Sequence, residues 1–476
     1  MSNRPLNLGD FFGETPANPE LYEQVSRAVG KLKGKRETIL TENEAFVLGV
    51  LVFIYAYSAV EVGRALHYFR QLAALGDIGD YYGWNQLRVL NSPVSPELSY
   101  LRRLDNNILY CAAALDLSDE PVLFYTPGIG NRYFSYQLID SYANSFAYIG
   151  TRATRGYEGV FAIVGPGWRG KLSKELSWIQ SQTPHNLMFG RIAIGDVEEV
   201  SLAREIYSRS TLAPLRYFRK EEGNDLSVGS LPECAQPLDL SGLKWFEFAS
   251  RLLNHNPPPA SENDLIGLFA RLNFCPGFDF QARALTTNVR SGLKRSIPVA
   301  QNEIIRYART MGESINGWHI SRPGCRLLES NYLERAAIAR ERLTESAVDE
   351  IFNAECFADS QGGLLNGSKK YVLRFEKRQE PSVNAFWSLT QCAIPNQQLA
   401  NDRNTHNSIS SLSPRLKYGA DGSIEIHVQN TDPGGDEAGN WLRSPAGNFS
   451  LLLRMYLPSE EVISGWYKLP VLHRSA

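Results

Sequence analysis

Arginines that stand inside or beside apolar segments are the first candidates for chemistry in this sequence. A guanidinium group is costly to bury unless an anion pairs with it, so each such arginine faces either a carboxylate or a ligand. Aromatic residues that could stack on a ligand occur in the same segments. The predicted substrate-binding residues are Tyr55, Arg132, Arg152, Trp168, Arg191, Trp387, Asn440, Trp441 and Arg454.

Two interpretations fit these residues. They pair with carboxylates at domain interfaces, or they line a cleft between domains that holds a small anionic or hydroxylated molecule. In the second case Asp140 is the predicted acid/base and Tyr110 the second choice, while Arg132 and Arg454 hold charge. No nucleotide or flavin motif is present, so we expect no cofactor and a non-redox acid–base step of the lyase, cyclase or hydrolase type.

Other functions stay open at this point. A non-catalytic protein could bind a carbohydrate or another polar ligand through Trp387 and Trp441 in the C-terminal β region. An interaction scaffold, the third hypothesis, would have no enclosed pocket. We expect a small molecule as the partner and leave homo-oligomerisation open.

A metal-dependent enzyme is a further alternative. Glu425 and His427 are two apart on a predicted strand and therefore share a face, with His406 or Asp436 available to complete a metal site. Exposed strand faces often carry such residues, so we predict no metal. Cys392 could act as a nucleophile beside a histidine, but we favour a buried, unreactive thiol.

Composition excludes several classes of protein. The chain has 476 residues, a net charge of −2 and no long run of Lys or Arg, which argues against nucleic-acid or membrane-surface binding. Its six cysteines are widely spread without a Cys-x-x-Cys pair, as expected of free thiols. The first residues show no signal peptide, so we expect a cytoplasmic protein. The apolar run 45–60 is shorter than the roughly 20 residues that span a bilayer and predicts a buried helix.

Four regions are predicted to position these side chains. Residues 1–100 are mostly helical, with a helix opening at 19–25, a capping box at 41–44 and a Pro- and Ser-rich boundary at 91–96. Residues 101–215 read as short strands separated by glycine turns. Residues 216–355 form a helical middle domain, and 356–476 return to strands. The fold class is therefore α+β and multidomain.

Two blocks of motifs resemble a pair of known families. Residues 106–215 carry Gln137-Leu138-Ile139-Asp140 and the run 165–170, and they are similar to the domain of unknown function numbered 1254. Residues 363–472 carry Phe386-Trp387-Ser388-Leu389-Thr390 and the run 440–456, and they resemble the one numbered 1214. The resemblance implies an immunoglobulin-like β-sandwich, a helical middle and a C-terminal jelly roll, and it implies no reaction.

The chain departs from the family pattern at several places, including Thr390-Gln391-Cys392, Arg443-Ser444-Pro445 and the start of the first β domain. Members carry an Asn-x-Asp-Thr-x-Tyr motif where this sequence has Asp105-Asn106-Asn107-Ile108-Leu109-Tyr110. An amide replaces the carboxylate at Asn107 and an alkyl group replaces the hydroxyl at Ile108. Whether these two replacements remove or change proton transfer or cation binding at this place is left open by the sequence.

Overall fold

The computed structural model describes residues 40–72, 84–90, 102–196, 198–219, 240–320, 331–394 and 406–475. Over these residues the chain is an α+β protein with four mainly antiparallel sheets and a group of helices between them. The helix predicted at 19–25 and the boundary predicted at 91–96 lie outside the described residues.

The first β unit consists of two sheets. One has five strands in the order β1-β2-β8-β4-β5, and the other has four in the order β7-β6-β3-β9. Among the described strands of this unit, β6 and β7 pair in parallel and the other pairs are antiparallel. The strands are β1 (Arg88–Val89), β2 (Ile108–Asp116), β3 (Val122–Thr126), β4 (Phe134–Asp140), β5 (Ser145–Gly150), β6 (Gly159–Val164), β7 (Ser177–Gln180), β8 (His185–Ala193) and β9 (Thr211–Pro214). Both sheets contribute to one apolar core, for example through Phe124 and Met188.

The C-terminal β unit has the same two-sheet form. A six-stranded sheet in the order β10-β11-β12-β18-β14-β15 shares a core with a four-stranded sheet in the order β17-β16-β13-β19. The strands are β10 (Glu313–Ile315), β11 (Trp318–Ile320), β12 (Ile351–Cys356), β13 (Lys370–Phe375), β14 (Val383–Ala393), β15 (Ser408–Ser410), β16 (Ile424–Gln429), β17 (Trp441–Arg443), β18 (Phe449–Pro458) and β19 (Leu472–Ser475). Strands β10, β11 and most of β12 lie within 216–355, the range predicted to be helical.

Helix α1 (Glu42–Leu72) lies in the middle of the molecule. Its predicted capping box is confirmed: the Thr41 backbone N–H donates to Glu44 Oε2 at 2.9 Å, and the Glu44 N–H donates to Thr41 Oγ1 at 3.3 Å. The predicted buried helix at 45–60 is also confirmed, since every residue of that run is buried. By length and composition α1 could cross a membrane, and its most apolar window lies wholly inside the fold.

The remaining helices surround α1 or cap the sheets. They are α2 (Val200–Ser208), α3 (Leu215–Arg219), α4 (Lys244–His255), α5 (Asn263–Phe269), α6 (Thr287–Thr310), α7 (Tyr332–Arg342) and α8 (Glu460–Ile463). Two glycines allow α1 and α6 to cross closely, because a Cβ on Gly49 would lie 2.5 Å from Ser296 Oγ and one on Gly292 would lie 2.3 Å from the Glu42 carbonyl oxygen.

Strand periodicity explains which side chains reach the region between the two β units. Successive residues of a strand point to opposite faces. In β8, Met188 and Ile192 enter the core of the first β unit, whereas Leu187 and Phe189 join the helical core. Arg191 has the parity of Phe189 and therefore points toward the helices. In β18 the same alternation turns Leu452, Arg454 and Tyr456 toward the helices, away from the C-terminal core.

Candidate functional site

A cavity of about 270 Å³ lies where the two β units meet α1 and the end of α7. The first β unit contributes side chains from β2 and β8, and the C-terminal unit contributes side chains from β12 and β18. Helix α1 supplies Tyr57, Glu61 and Arg64, and the segment 339–346 closes one side. Parts of the chain separated by several hundred residues therefore form one enclosure.

Seven arginines line this cavity and are called the cavity arginines below: Arg64, Arg102, Arg103, Arg191, Arg340, Arg342 and Arg454. Three glutamates line it with them, namely Glu61, Glu341 and Glu345. The walls thus carry more cationic than anionic side chains, although the chain as a whole is slightly acidic.

Arg191 is a cavity arginine whose hydrogen bonds go to neutral groups, while the buried Glu350 carboxylate acts on it from a longer distance. It is 5% exposed, its Nη1 donates to Gln137 Oε1 at 3.0 Å, and its Nη2 donates to the Thr344 carbonyl oxygen. The guanidinium carbon lies 4.8 Å from the centre of the Phe189 ring. Within the described residues no carboxylate oxygen comes within 4.0 Å of it. An arginine held by neutral groups at a cavity wall is ready to bind an anion.

Arg342, the last residue of α7, is also poorly compensated. Its side chain is 5% exposed, and its one ion pair is a long contact of 3.5 Å between Nη1 and Glu345 Oε1. Its buried Nε has no hydrogen-bond partner among the described residues. Burial lowers the pKa of Arg342 despite the nearby Glu345 carboxylate. Ser346, also on the wall and 2% exposed, likewise has an Oγ without a partner in the described part of the chain.

A buried group centred on Asp105 lies behind the part of the wall formed by Tyr456 and Arg454. Tyr456 donates its OH to Asp105 Oδ2 at 2.7 Å, and Ser388 Oγ donates to the same oxygen. Arg454 Nη1 lies 3.8 Å from Oδ2 and donates to Thr390 Oγ1 at 2.6 Å. Asp105 is fully buried behind the wall, whereas Tyr456 and Arg454 line the cavity. The carboxylate therefore fixes the orientation of two wall side chains.

Tyr110 presents a phenol to the cavity. Its oxygen accepts a hydrogen bond of 2.8 Å from the Asp105 backbone N–H, and among the described residues no acceptor takes the phenolic proton. Burial, reinforced by the Asp105 carboxylate, raises the pKa of Tyr110 to about 12. The group is therefore neutral near pH 7 and can donate a hydrogen bond to a bound oxygen atom.

The structure brings three of the predicted residues together at the cavity: Tyr110, Arg191 and Arg454. The other predicted arginines have carboxylate partners elsewhere. Arg132 Nη1 lies 2.6 Å from Glu199 Oε2, and Arg152 Nε lies 2.6 Å from Glu350 Oε2. Arg152 pairs with a carboxylate outside the first β unit, as the interface interpretation predicts, whereas Arg132 pairs within that unit.

The predicted tryptophans and Asn440 do not line the cavity. Trp387 is in the core of the C-terminal unit, and Trp168 packs against a small core at the edge of the first unit. The Trp441 indole donates to the Gln429 carbonyl oxygen at 2.9 Å, and Asn440 binds the backbone of Lys417. The geometry gives these side chains structural roles.

Asp140, the predicted acid/base, also lies outside the cavity wall. Its carboxylate accepts from the Tyr142 backbone N–H at 2.8 Å, the Asn144 N–H at 2.9 Å and Asn144 Nδ2 at 3.0 Å. These bonds close the turn between β4 and β5. Burial raises the pKa of Asp140 despite them. Tyr55, a predicted substrate-binding residue, belongs to a separate buried group, in which the guanidinium carbon of Arg335 lies 5.3 Å from the centre of the Tyr55 ring.

Glu425 and His427, the low-priority metal ligands, face different partners. Glu425 Oε1 lies 2.5 Å from Arg374 Nη1, and His427 Nδ1 lies 3.7 Å from Glu437 Oε2. In the described part of the chain, no group of three or more His, Cys, Asp or Glu side chains is arranged to hold a metal ion. Burial raises the pKa of the Cys392 thiol to about 11, so it is protonated near neutral pH.

Sequence reasoning missed the cavity residues on α7 and on the loops. Arg340 and Arg342 occur in a run with acidic neighbours, which is typical of a solvated helix face. Asp105 was considered only as part of a motif. One usable signal was the position of Tyr456, two residues beyond Arg454 on the same strand and hence on the same face.

The fold and the site define an α+β protein in which two β units and a central helix enclose a cationic cavity. Family models match both units: "protein of unknown function (DUF1254)" over residues 84–214 and "protein of unknown function (DUF1214)" over residues 351–460. The chain belongs to the family in which these two domains occur in tandem. The predicted resemblance is thereby confirmed, and the cavity is built from both matched regions together with helices α1 and α7.

A solved structure with a TM-score above 0.5 shows a fold similar to that of this chain. The crystal structure of the VPA0106 protein from Vibrio parahaemolyticus has a TM-score of 0.68 at 19% identity, covering 91% of this chain and 100% of that one. An uncharacterized protein from Burkholderia cenocepacia has a TM-score of 0.42 at 12% identity, covering 96% and 95%. No curated protein matches the sequence.

Proposed function

We propose that this protein binds a small organic anion in the cavity between its two β units. The observation that carries the proposal is the buried guanidinium of Arg191, which is held at the cavity wall by an amide and a carbonyl oxygen and not by a carboxylate. Burying an unpaired cation costs several kcal/mol. An anionic ligand that pairs with Arg191 offsets this cost, and the other cavity arginines add to the attraction.

The size of the cavity supports a metabolite as the ligand. Pockets for drug-sized molecules usually measure roughly 300–1,000 Å³, and this one measures about 270 Å³. The alternative of a carbohydrate that stacks on Trp387 and Trp441 has no support from the cavity, because neither indole lines it.

Binding is tested by equilibrium titration of the protein with small organic acids at constant ionic strength. Arg191→Gln should weaken binding at least about tenfold, equivalent to roughly 1.4 kcal/mol. The matched control is Arg169→Gln, because Arg169 is exposed and donates only to the carbonyl oxygens of Pro166 and Trp168. Equal affinities for the two variants would refute the proposal, provided that circular dichroism shows both to be folded.

Catalysis is the second candidate function, and one observation favours it. Tyr110 directs a phenol with an unaccepted proton into the cavity beside Arg191 and Arg454. A bound anion could there receive a hydrogen bond or a proton, as in a cofactor-independent lyase, cyclase or hydrolase step. NMR of each ligand during incubation separates the functions: consumption that Tyr110→Phe abolishes supports an enzyme, and binding without consumption supports a binding protein.

The finer fold assignment is also a proposal. We infer that the first β unit is an immunoglobulin-like sandwich and that the C-terminal unit is a jelly roll. The support is that each unit packs two mainly antiparallel sheets around one core. The expected cytoplasmic location, the expected lack of nucleic-acid and membrane partners and a possible homo-oligomer stay predictions.

A further inference from the structure

We infer that the anion is a 2-hydroxy or 2-oxo carboxylic acid, which carries an oxygen atom on the carbon next to its carboxylate. This inference rests on the proposed function and adds the chemical class of the ligand. Two observations carry it. Tyr110 and Arg191 are adjacent on one wall of the cavity, and the phenolic proton of Tyr110 has no acceptor among the described residues.

Strand pairing places Tyr110 beside Arg191. The two residues are direct partners in the antiparallel pairing of β2 with β8, so their side chains leave the sheet on the same face with Cβ atoms about 4.5–5.5 Å apart. Both side chains also pack on the Phe189 ring. The centre of that ring lies 5.3 Å from the centre of the Tyr110 ring and 4.8 Å from the guanidinium carbon of Arg191. A carboxylate bound by Arg191 therefore has the Tyr110 phenol as its neighbour.

The hydrogen bonds of this pair determine what each member offers a ligand. Arg191 donates to Gln137 and to the Thr344 carbonyl oxygen. A guanidinium has more N–H groups than these two bonds use, and the others can bind a carboxylate. The Tyr110 oxygen already accepts from the Asp105 N–H at 2.8 Å, and the phenol keeps its proton near pH 7. That proton needs an acceptor close to the carboxylate, which an oxygen on the adjacent carbon supplies.

A second phenol in the cavity, that of Tyr57, has a different neighbour. The Tyr57 oxygen accepts from Arg340 Nη1 at 3.3 Å, and Arg340 Nε lies 3.0 Å from Glu341 Oε1. The cation beside Tyr57 thus has a close carboxylate partner, whereas the hydrogen bonds of Arg191 go to neutral groups. We therefore place the carboxylate of the ligand beside Tyr110 and not beside Tyr57.

The test compares acids that differ in one oxygen atom. Propanoate, each enantiomer of lactate, pyruvate and 3-hydroxypropanoate are titrated at constant ionic strength. Glutarate, 2-hydroxyglutarate and 2-oxoglutarate repeat the comparison in a longer acid. We expect a 2-hydroxy or 2-oxo acid to bind about five- to tenfold more tightly than its parent acid, as one added hydrogen bond allows. 3-Hydroxypropanoate should bind like propanoate, and the better of lactate and pyruvate identifies the hydroxy or oxo form.

Two variants assign this preference to one phenol. Tyr110→Phe keeps the ring on Phe189 and removes only the hydroxyl, so the preference for the 2-substituted acid should fall to less than about twofold. The affinity for the parent acid should change less than about twofold, which shows that the variant is folded and its site intact. Tyr57→Phe should keep the preference, and its loss in this variant alone would overturn the assignment to Tyr110.

The outcomes separate this inference from the proposed function. If the 2-substituted acids bind no more tightly than their parents in either series, or if Tyr110→Phe keeps the preference, the inference fails. The proposed function still stands in that case, provided that Arg191→Gln weakens the binding of propanoate or glutarate. If Arg191→Gln weakens the binding of no acid in either series, the proposed function fails as well.

Discussion

Replacement of Arg342 by methionine tests whether this arginine serves ligand binding or the stability of the fold. Methionine keeps a long side chain in the space of the arginine stem and removes the charge. Arg342 is 5% exposed in its side chain, and its Nε has no partner in the described part of the chain. If this cation is kept for a ligand, its loss should impair binding without destabilising the fold.

The expected change in stability is small because opposing contributions offset each other. Removing the unpartnered buried donor relieves about 1–3 kcal/mol. Losing the 3.5 Å contact with Glu345 costs about 0.5–1.5 kcal/mol, and losing a cation at a helix C-terminus costs about 0.3–1 kcal/mol. Glu345 keeps a hydrogen bond of 3.0 Å from Asn353 Nδ2. We therefore expect the free energy of unfolding to stay within about 1 kcal/mol of the wild-type value.

Urea unfolding followed by tryptophan fluorescence measures this effect, and Arg340→Met is the matched control. Arg340 lies on the same helix, 3.0 Å from Glu341 Oε1, and donates to the Tyr57 OH at 3.3 Å. Burial acts to lower the pKa of Arg340, but the Tyr57 and Glu341 groups outweigh it and raise that pKa. Arg340 Nε, like Arg342 Nε, makes no hydrogen bond among the described residues, but unlike Arg342 it has a close ion pair. Because that ion pair and the bond to Tyr57 would be lost, Arg340→Met should cost about 1 kcal/mol.

The binding half of the prediction uses the same two proteins. Arg342→Met should bind the preferred anion at least about tenfold more weakly than the wild type, since a charge-assisted hydrogen bond contributes about 1.5–3 kcal/mol. A stability loss of about 3–5 kcal/mol, the usual cost of breaking a buried ion pair, together with unchanged binding would refute the reasoning. Arg342 would then be a structural residue.

Three further predictions concern other parts of the molecule. Asp140→Asn should lose about 1–2 kcal/mol in urea unfolding because it weakens a buried turn, and anion affinity should change less than twofold; a larger loss of affinity would connect Asp140 to the site. Tyr456→Phe should cost about 1.5–3 kcal/mol, since it removes the 2.7 Å hydrogen bond to the buried Asp105 carboxylate, and an unchanged unfolding midpoint would contradict that bond. Burial lowers the pKa of His185 below 6.5 in spite of the nearby Asp116, so the stability that it contributes is present above pH 6.5 and lost as the pH falls below it. Between pH 7.5 and 5.5 the unfolding midpoint should therefore fall less in His185→Gln than in the wild type. Equal falls in the two proteins would show that His185 is not the source of the pH dependence.

Residues on strands could be assigned to the site from the sequence because strand periodicity is simple. Arg191 and Arg454 interrupt apolar strands, and a buried cation in such a strand needs a partner or a ligand. The sequence does not tell which of these applies. Arg132 borders an apolar strand and was an equally good candidate, yet it pairs with Glu199 at 2.6 Å. The partner depends on tertiary packing, which periodicity does not specify.

Residues on α7 could not be found in this way. A helix rich in Arg and Glu has the same sequence pattern whether its polar face meets water or a cavity. Arg342 became a candidate only because the two β units cover that face. Asp140 failed as a site residue for a related reason: a buried aspartate beside a turn has the sequence pattern of either a catalytic acid or a turn-closing residue.

The α+β class was predictable because short strands with glycine turns and long apolar helical runs have distinct periods. The boundaries of the helical and strand regions were less predictable. Strands β10 (Glu313–Ile315) and β11 (Trp318–Ile320) are three residues each, too short to show a period, and they join the six-stranded sheet through long-range pairing. The cavity between the two β units also depends on long-range strand pairing. Strands β12 and β18 both line it, and they lie side by side in the same sheet although they are distant in sequence.

The central claim, that the cavity arginines form an anion site, is tested most directly by diffraction from crystals soaked in selenate. Selenate is a compact dianion, and its selenium can be located by anomalous scattering. The account predicts the strongest selenium peak inside the cavity, within about 4 Å of guanidinium nitrogens of Arg191 or Arg342, and its loss in crystals of Arg191→Gln. Peaks confined to the outer surface, with the cavity free of selenium in the wild type, would contradict it.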